Sequence, residues 1–291
     1  MTRRVLVVGA GPGGVAAAVQ LKRLGVLVRW WDRTGEIGGL LHNAQRVENW
    51  PGMPVGASGQ VCCVRLREHA AAFDLKPEKV EASSFSETDG AVLVRGSDDT
   101  TASVDAVVWA PGTRPIPWAL ARPELPVVYE FRDIPAQARR VLFVGGGEAA
   151  CDGSLHWAQG GREAILAVRS DRLRAGGGLA QRTLASEIID RRFCTEVIAL
   201  AWRDDGLQCT LRSAGVESVA SVDAVVFCGG RLSALPSLGL AAPGTGQLRV
   251  CPSHWVVGDA RLGSLGQACI ALGDGLLAAG QVAESAEIQG K

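Results

Sequence analysis

Two glycine-rich turns offer the clearest chemistry in this sequence. Residues 9–14 read Gly-Ala-Gly-Pro-Gly-Gly after an apolar run at 5–8, and residues 145–150 read Gly-Gly-Gly-Glu-Ala-Ala after an apolar run at 141–144. Such a turn at the start of a helix presents free backbone N–H groups and a positive dipole end to a pyrophosphate. One turn is a weak signal, because glycine closes many strand–helix corners. Two in one chain predict two dinucleotide sites.

An acidic residue stands where the first of these sites would bind a ribose. The β-prone run at residues 26–31 ends at Asp32, eighteen residues beyond Gly14. A carboxylate there accepts hydrogen bonds from an adenosine ribose and repels a phosphorylated one, which favours FAD or NAD over NADP. The alternative is that Asp32 is an ordinary residue of the turn that ends the strand.

Composition narrows the class of protein. The chain has 291 residues, with thirty basic and thirty acidic side chains, so no overall charge favours nucleic acid or an anionic membrane as a partner. No apolar run reaches membrane-spanning length and the first residues lead directly into a strand, so we expect no membrane span and no secretory signal. The eight cysteines include no Cys-x-x-Cys pair and no zinc-ligand spacing. We therefore expect no metal, and a reduced, cytoplasmic protein.

The elements that must position these residues alternate between strand and helix. The pattern predicts a β-meander over residues 78–109, a connector over 114–126, and helices at about 13–24, 58–73, 148–158, 179–191 and 267–283. The second glycine turn opens a new strand–helix–strand unit in the middle of the chain. We therefore predict an α/β protein with two Rossmann-like, three-layer nucleotide-binding domains, one of NAD(P) type inserted into a discontinuous FAD domain.

Four further motifs follow one another along the chain. They are Val47-Glu48-Asn49-Trp50-Pro51-Gly52, Ala110-Pro111-Gly112-Thr113, Gly258-Asp259 and Gln267-Ala268. Together with the first glycine turn and Asp32, they resemble the low-molecular-weight thioredoxin reductase family of flavoproteins over nearly the whole length. The resemblance implies FAD bound by residues 1–114 and 231–291, an NAD(P)H-type domain over residues 115–230, and a homodimer.

The resemblance also implies roles for individual residues. Asn49 carries a flavin contact, Asp259 holds the ribityl chain, and the helix that begins near Gln267 faces the pyrimidine end of the flavin, where its dipole stabilises reduced flavin. The residues implied for FAD are Gly9, Gly11, Pro12, Gly13, Gly14, Asp32, Gly39, Leu40, Asn49, Ala110, Gly112, Gly258, Asp259, Gln267 and Ala268. Those implied for the pyridine nucleotide are Gly145, Gly147, Glu148, Ala149, Arg169 and Arg174.

The redox dithiol of the family is missing from this sequence. Members that reduce thioredoxin carry a Cys-x-x-Cys-Asp-Gly segment just before the second glycine turn, but residues 127–140 contain no cysteine. Cys151-Asp152-Gly153 is similar to the end of that segment but falls after the turn, inside the predicted helix. We interpret Cys151 as a buried helical thiol and predict that the activity that names the family is absent.

The pyridine nucleotide site also departs from the family pattern. Its cluster of arginines for the 2′-phosphate of NADPH keeps Arg169 and Arg174, but Ser170 replaces the arginine that follows Arg169. NADPH and NADH therefore both stay open. Glu148 places a negative charge beside the expected pyrophosphate, which also leaves open that this second site is an inactive scaffold.

These features predict an FAD-dependent oxidoreductase that passes electrons from NAD(P)H through FAD to a protein or small-molecule acceptor. His42, in a region that the resemblance places near the flavin, is the candidate for a catalytic proton donor, and a surface or lining histidine is the alternative. Two other functions stay open. One is a flavoprotein without pyridine nucleotide, fed by ferredoxin or holding two flavins, and the other is a non-catalytic FAD-binding redox sensor.

Overall fold

The first unit of the structure is built around the apolar strand at the start of the chain. Strand β1 (Arg4–Val8) leads through the first glycine turn into helix α1 (Pro12–Arg23) and strand β2 (Leu27–Asp32). Val5, Leu6 and Val7 are fully buried, because β1 is covered on both faces, as central parallel strands are. The structure is a computed structural model that describes residues 3–88, 90–203, 206–244 and 246–289.

The first unit continues with a helix, a short edge strand and a β-meander. These elements are α2 (Gly59–Ala71), β3 (Glu78–Lys79), β4 (Ala82–Thr88), β5 (Ala91–Gly96), β6 (Thr101–Val104), β7 (Ala106–Trp109) and β8 (Thr113–Pro115). In the parallel sheet, β1 pairs with β2 on one side and β7 on the other. The antiparallel sheet β4–β5–β6 packs against it through a core that includes Trp31, Trp109, Val92 and Val94.

The second unit repeats the strand–turn–helix–strand scheme of the first. Its elements are β9 (Val127–Val128), β10 (Arg140–Val144), α3 (Glu148–Gln159), β11 (Glu163–Ala167), α4 (Gly177–Ala185), β12 (Ile189–Arg192), β13 (Thr195–Arg203), β14 (Gly206–Ser213), β15 (Val216–Val222) and β16 (Ala224–Phe227). The parallel sheet has the order β12-β11-β10-β16-β9. Phe143 faces the core beneath α3, and its neighbour Leu142 faces the antiparallel sheet β13–β15, because successive strand residues point to opposite faces.

The chain then returns to the first unit. Its last elements are β17 (Arg231–Ser233), β18 (Arg249–Cys251), β19 (His254–Val256), α5 (Asp259–Leu262) and α6 (Ala268–Gln289). Strand β19 extends the parallel sheet beside β7, and β17 pairs with β8. Helix α6 packs closely on α1, because Gly275 faces Ala16 and Ala17. None of the helices in the described ranges has both the length and the apolar character needed to cross a membrane.

The boundaries of the two units differ from the predicted ones at residues 43–46. The first consists of Met1–His42, Val47–Arg114 and Arg231–Lys291, and the second of Asn43–Arg46 and Pro115–Gly230. The sequence predicts residues 43–46 in the first unit. They belong with the second because Asn43 Nδ2 donates to Glu130 Oε2 at 2.8 Å and the Gln45 N–H donates to Asp152 Oδ2 at 2.7 Å.

Helix α4 differs from the sequence prediction, whereas the α/β class with two three-layer units is confirmed. The helix predicted over residues 179–191 ends at Ala185, and strand β12 begins at Ile189. Ile189 is buried and pairs with Ala164 at the edge of the parallel sheet. The backbone N–H and C=O groups of this stretch are satisfied by the neighbouring strand, so tertiary pairing overrides the local helical pattern.

Candidate nucleotide-binding sites

The first glycine turn is shaped by close approach of backbone to backbone. Gly9 (φ +104°) donates its N–H to Trp31 O at 2.7 Å, and a Cβ on it would collide with Ala110 O. A Cβ on Gly14 would collide in the same way with Gly9 O. Both glycines are therefore needed to bring β1, the turn and α1 together.

Gly11 has a different surrounding, because it faces open space. It caps α1 with extended backbone and no side-chain hydrogen bond, and a Cβ on it would have no atom within 4 Å among the described residues. Pro12 follows as the first helical residue and has no N–H of its own. The N–H groups of Gly13 and Gly14 have no acceptor within the helix. Donors and room together fit a pyrophosphate.

Asp32 links the first turn to the loop that follows β2. Its Oδ2 accepts the N–H of Ala10 at 2.9 Å, and its Oδ1 accepts the N–H and hydroxyl of Thr34 at 2.8 and 2.6 Å. Oδ2 keeps a further lone pair, so the half-buried carboxylate can still accept a ribose hydroxyl. Asp32 thus shapes the turn and remains a candidate ribose contact.

The loop that contains Gly39 and Leu40 lies beside the first turn. Gly38 donates its N–H to Ala10 O at 2.8 Å, and a Cβ on Gly39 would lie 3.1 Å from the Cα of Gly11. Leu40 is half-buried in the short 3-10 turn that follows. The sequence signal for this loop was its pair of glycines, and the structure brings them next to the candidate pyrophosphate cradle.

His42 has a defined tautomer in this loop. Its Nε2 lies 3.1 Å from Ile37 O, and a carbonyl only accepts hydrogen bonds, so Nε2 carries the proton. This contact orients the ring through Nε2, and the role of His42 as a catalytic proton donor stays a prediction. Cys63 Sγ is its neighbour across Gly38.

Two candidates that are far apart in sequence lie together at the start of α6. Asn49 Nδ2 donates to Gln267 Oε1 at 2.6 Å, and Cys269 Sγ donates to Asn49 O at 3.4 Å. Ala268 is the first residue of α6, so the helix N-terminus opens directly behind this pair. The structure therefore joins Asn49, Gln267 and Ala268 in one corner of the first unit.

Ala110 and Gly112 lie in the segment that leaves β7. The Ala110 N–H donates to Val8 O at 2.7 Å, which holds the segment against the first turn. Gly112 O accepts the N–H of Ala234 at 3.1 Å, next to the paired strands β8 and β17. Both residues thus lie on backbone that is fixed by the strands around it.

Asp259 lies at the start of α5. Burial raises the pKa of its carboxyl, and the negative charge of Asp274 raises this pKa further, whereas the positive charge of Arg231 lowers it. Sequence reasoning missed Asp274. It is 8% exposed, accepts the Gly258 N–H at 3.0 Å, and pairs with Arg261 Nη2 at 2.8 Å. Its only sequence signal was a carboxylate in the apolar and small-residue first half of α6.

The second glycine turn has the same plan as the first. Gly145 donates its N–H to Ala167 O at 2.9 Å, and a Cβ on it would lie 2.8 Å from Cys228 O. Gly147 caps α3 with extended backbone, no side-chain hydrogen bond and no described atom within 4 Å of a Cβ. Glu148 and Ala149 are exposed in the first helical turn. This cradle also fits a pyrophosphate.

The loop between β11 and α4 folds back onto this second turn. The Arg174 N–H donates to Gly146 O at 2.6 Å, and Ser170 Oγ donates to Arg172 O at 2.7 Å. Arg169, Arg172 and Arg174 are all exposed, and none of them has a carboxylate partner among the residues that the structure describes. Their guanidinium groups are therefore available to an anion at this end of the sheet.

The cysteine that follows the second turn has the properties of an unreactive thiol. Cys151 is fully buried on α3, and burial raises the pKa of its thiol to about 11. The thiol is therefore protonated near neutral pH, and the thiolate is the reactive form. This supports the interpretation of Cys151 as a packing residue. Its neighbour Asp152 holds residues 45 and 46 through backbone hydrogen bonds.

One cluster in the first unit has the composition of a metal site, but the histidine nitrogen that would bind the metal carries a proton. Glu87, Cys251 and His254 have candidate ligand atoms within 4.8 Å of one another. However, His254 Nδ1 lies 2.8 Å from Trp109 Nε1, and an indole N–H only donates. The imidazole proton must therefore be on Nε2, which faces Glu87 at 3.1 Å and has no lone pair left for a metal.

Comparison with known proteins finds one matching family and several curated relatives. The family described as pyridine nucleotide-disulphide oxidoreductase matches residues 3–275. The chain is 29% identical over 212 residues to NADPH-dependent thioredoxin reductase 3 of Arabidopsis thaliana, a match that covers 67% of this chain but only 39% of that protein. It is 26% identical over 230 residues to thioredoxin reductase of Neurospora crassa, covering 72% and 67% of the two chains.

Solved structures show the same fold. Thioredoxin reductase of Lactococcus lactis superposes with a TM-score of 0.86 at 20% identity, covering 98% of this chain and 99% of that one. Bacillithiol disulfide reductase of Staphylococcus aureus superposes with a TM-score of 0.80 at 16% identity over the whole of both chains. At these identities the likeness establishes the architecture of the chain.

Proposed function

The chain belongs to the pyridine nucleotide-disulphide oxidoreductase family, and on that premise we propose that it is an FAD-dependent oxidoreductase. It takes hydride from NADPH or NADH and passes electrons to a protein or small-molecule acceptor. Family membership supports FAD and NAD(P)H as the cofactors. We assign FAD to the first unit and the pyridine nucleotide to the second.

One observation carries this proposal. Gly11 and Gly147 each cap a helix, each lacks a side-chain cap, and each faces open space, whereas the glycines around them are packed against other atoms of the protein. A helix start of this kind leaves several N–H groups for a ligand. Two such starts behind two parallel strands support two dinucleotides rather than one.

The residues of the first unit divide the work of holding FAD. The α1 N-terminus binds the pyrophosphate, and Asp32 accepts a hydroxyl of the adenosine ribose. Asp259 accepts a hydroxyl of the ribityl chain. The α6 N-terminus, with Asn49 and Gln267 in front of it, places a positive dipole end at the pyrimidine side of the ring system. FAD, when bound, supplies the electron transfer.

In the second unit, the α3 N-terminus binds the pyrophosphate of NAD(P)H, and Arg169 and Arg174 lie toward the adenosine ribose. Charge-assisted hydrogen bonds from guanidinium groups favour a phosphorylated ribose. Arg172 is exposed on the same loop and is available in place of the arginine that Ser170 replaces. We propose NADPH as the preferred donor on this ground.

We further propose that the protein does not reduce thioredoxin. The sequence has no Cys-x-x-Cys pair, and Cys151 is buried with a raised pKa. Electrons therefore leave the flavin directly for the acceptor. A homodimer, which the family resemblance implies, and a cytoplasmic location, which the absence of Cys-x-x-Cys pairs favours, are part of the same proposal.

Anaerobic rapid mixing of the FAD-loaded protein with NADPH, and separately with NADH, tests the proposal. We expect bleaching of the flavin absorbance with at least one donor, and faster bleaching with NADPH. The variant Gly147→Ala should keep its yellow colour and lose the bleaching, because its methyl group fills the second cradle only. No bleaching of the unaltered protein with either donor would contradict the proposal.

A further inference from the structure

The turn that presents Asp259 is held by a buried ion pair between Arg261 of the same short helix and Asp274 of α6. Gly258 has φ +70°, a region that glycine tolerates, and its N–H donates to Asp274 Oδ2 at 3.0 Å. Asp274 lies sixteen residues later on α6. Arg261 Nη2 reaches Oδ1 and Oδ2 of the same carboxylate at 2.8 and 3.0 Å, and Arg261 Nε reaches Oδ2 at 3.2 Å.

This arrangement matters because α5 cannot position Asp259 by itself. The helix has only four residues, and Asp259 is the first of them. A helix this short has a single hydrogen-bonded turn and little stability of its own. The carboxylate of Asp274 binds the N–H of Gly258, the residue before Asp259. The same carboxylate binds the side chain of Arg261, two residues after Asp259. The ion pair therefore clamps both ends of the turn.

The charges around Asp259 come from three elements. Arg231 on β17 favours its ionised form, Asp274 on α6 opposes it, and Arg261 on α5 compensates the charge of Asp274. Asp274 and Arg261 are 10% and 11% exposed in their side chains, so water screens this network poorly. A change at Asp274 thus alters both the geometry and the ionisation of Asp259.

We infer that Asp274, clamped by Arg261, is a positioning residue that holds the Asp259 carboxylate in place for FAD. The inference deepens the proposed function and rests on it. Asp274 itself makes no contact with the cofactor in this scheme. It acts through the Gly258 N–H and through the field that it exerts on Asp259.

Titration of the apoprotein with FAD, followed by flavin fluorescence between pH 5 and 8, tests the inference. Asp274→Asn should raise the dissociation constant at pH 8 by about 10- to 100-fold, the size of one charge-assisted hydrogen bond. Since the variant removes a negative charge, the pKa of Asp259 should fall, and the weakening of FAD binding in acid should move to lower pH. Weaker binding at pH 8 together with a shift of the acid weakening to lower pH indicates a positioning role, because a general loss of stability would not shift the pH profile in this direction.

Asp105→Asn is the matched control. Asp105 also accepts a backbone N–H and pairs with an arginine, Arg4, but it lies away from Gly258 at the start of β7. It should leave FAD affinity unchanged at every pH. Should Asp274→Asn fail to fold, Arg261→Lys keeps the charge and loses the bidentate grip, and we expect its dissociation constant to rise about threefold or more.

The outcomes are distinct. If the unaltered protein does not bind FAD, the proposed function fails. If it binds FAD and Asp274→Asn binds equally well with the same pH profile, only the inference fails. The inference also fails, and the proposed function stands, if Asp274→Asn is unfolded and Arg261→Lys binds FAD like the unaltered protein.

Discussion

Gly11 and Gly14 are three residues apart in one turn, yet a methyl group would have opposite effects at the two positions. At Gly14 it collides with Gly9 O, so Gly14→Ala should cost about 1–3 kcal/mol of stability or more. At Gly11 it meets only open space on an allowed backbone conformation. Gly11→Ala should therefore change apoprotein stability by less than about 1 kcal/mol.

In the proposed function, the same methyl group at Gly11 would occupy the place of the FAD pyrophosphate. We expect Gly11→Ala to weaken FAD binding by about tenfold or more, since even one lost hydrogen bond to a charged group has this size. Thermal unfolding of the apoprotein and titration with FAD together check this prediction. A Gly11→Ala variant that binds FAD normally would show that the cradle lies elsewhere.

We expect the ionised Asp259 carboxylate to lower the stability of the apoprotein and to strengthen the binding of FAD. Burial raises the pKa of its carboxyl in the folded state, so between the unfolded and folded pKa values the folded protein binds more protons. Stability therefore falls as pH rises through that window, and the full cost is present at neutral pH. Asp259→Asn removes the cost, so its apoprotein should melt at a higher temperature than the unaltered apoprotein at pH 7.

The same variant should bind FAD about 10- to 100-fold more weakly, because a carboxylate is a stronger acceptor than an amide. The difference in melting temperature should shrink as the pH falls below about 4, because Asp259 then becomes protonated in the unfolded state as well. An apoprotein of Asp259→Asn that melts lower than the unaltered one at pH 7 would contradict this account.

At the scale of elements, Glu148 connects two helix starts. It lies in the first turn of α3, and its Oε1 is 3.4 Å from the position that a Cβ on Gly176, the N-cap of α4, would take. A carboxylate near helix N-termini stabilises them by about 0.3–1 kcal/mol. The same charge would repel the pyrophosphate that we propose at Gly147. Structure and binding thus make opposite demands on this residue.

Glu148→Gln should therefore bind NADPH about two- to fivefold more tightly and unfold at a slightly lower temperature. Titration at two ionic strengths checks the cause, because the gain in affinity should shrink as salt screens the charge. Glu217→Gln, on exposed β15 of the same unit, serves as the control. Weaker NADPH binding by Glu148→Gln would mean that the carboxylate is itself a nucleotide contact.

The elements also show what the sequence could and could not predict. The glycine turns, Asp32 and the start of α6 follow from local patterns, and the family resemblance deduced from them is confirmed. The Asp274–Arg261 pair could not be predicted, because it depends on how α6 packs against the Gly258 turn. Residues 43–46 had no periodicity to place them, and hydrogen bonds to Glu130 and Asp152 decide their position.

For the whole molecule, the two units use one plan for different ends. In each, a parallel strand leads through glycine into a helix whose start is left uncapped, and a three-stranded antiparallel sheet covers the other face. The difference lies at the end of the second strand, where the first unit has Asp32 and the second has Arg169 followed by Ser170. That difference supports two distinct nucleotides in one polypeptide.

The number of electrons that the whole protein accepts tests the absence of a redox dithiol. A flavin accepts two electrons, and a disulfide that exchanged with it would accept two more. No two of the described cysteines are joined in a disulfide, and burial raises the pKa of Cys62, Cys151, Cys209 and Cys269. Anaerobic titration of the air-oxidised, FAD-loaded protein with dithionite should therefore bleach the flavin completely at two electrons per chain.

Consumption of four electrons would instead reveal a disulfide in communication with the flavin. The thiols to examine first are Cys62 and Cys269, since Cys269 contributes to the raised pKa of Cys62 and lies against Asn49 O. Cys269→Ser should then restore the two-electron endpoint. If the unaltered protein and Cys269→Ser both consume two electrons per chain, no disulfide exchanges electrons with the flavin. The acceptor must then be reduced at the flavin itself.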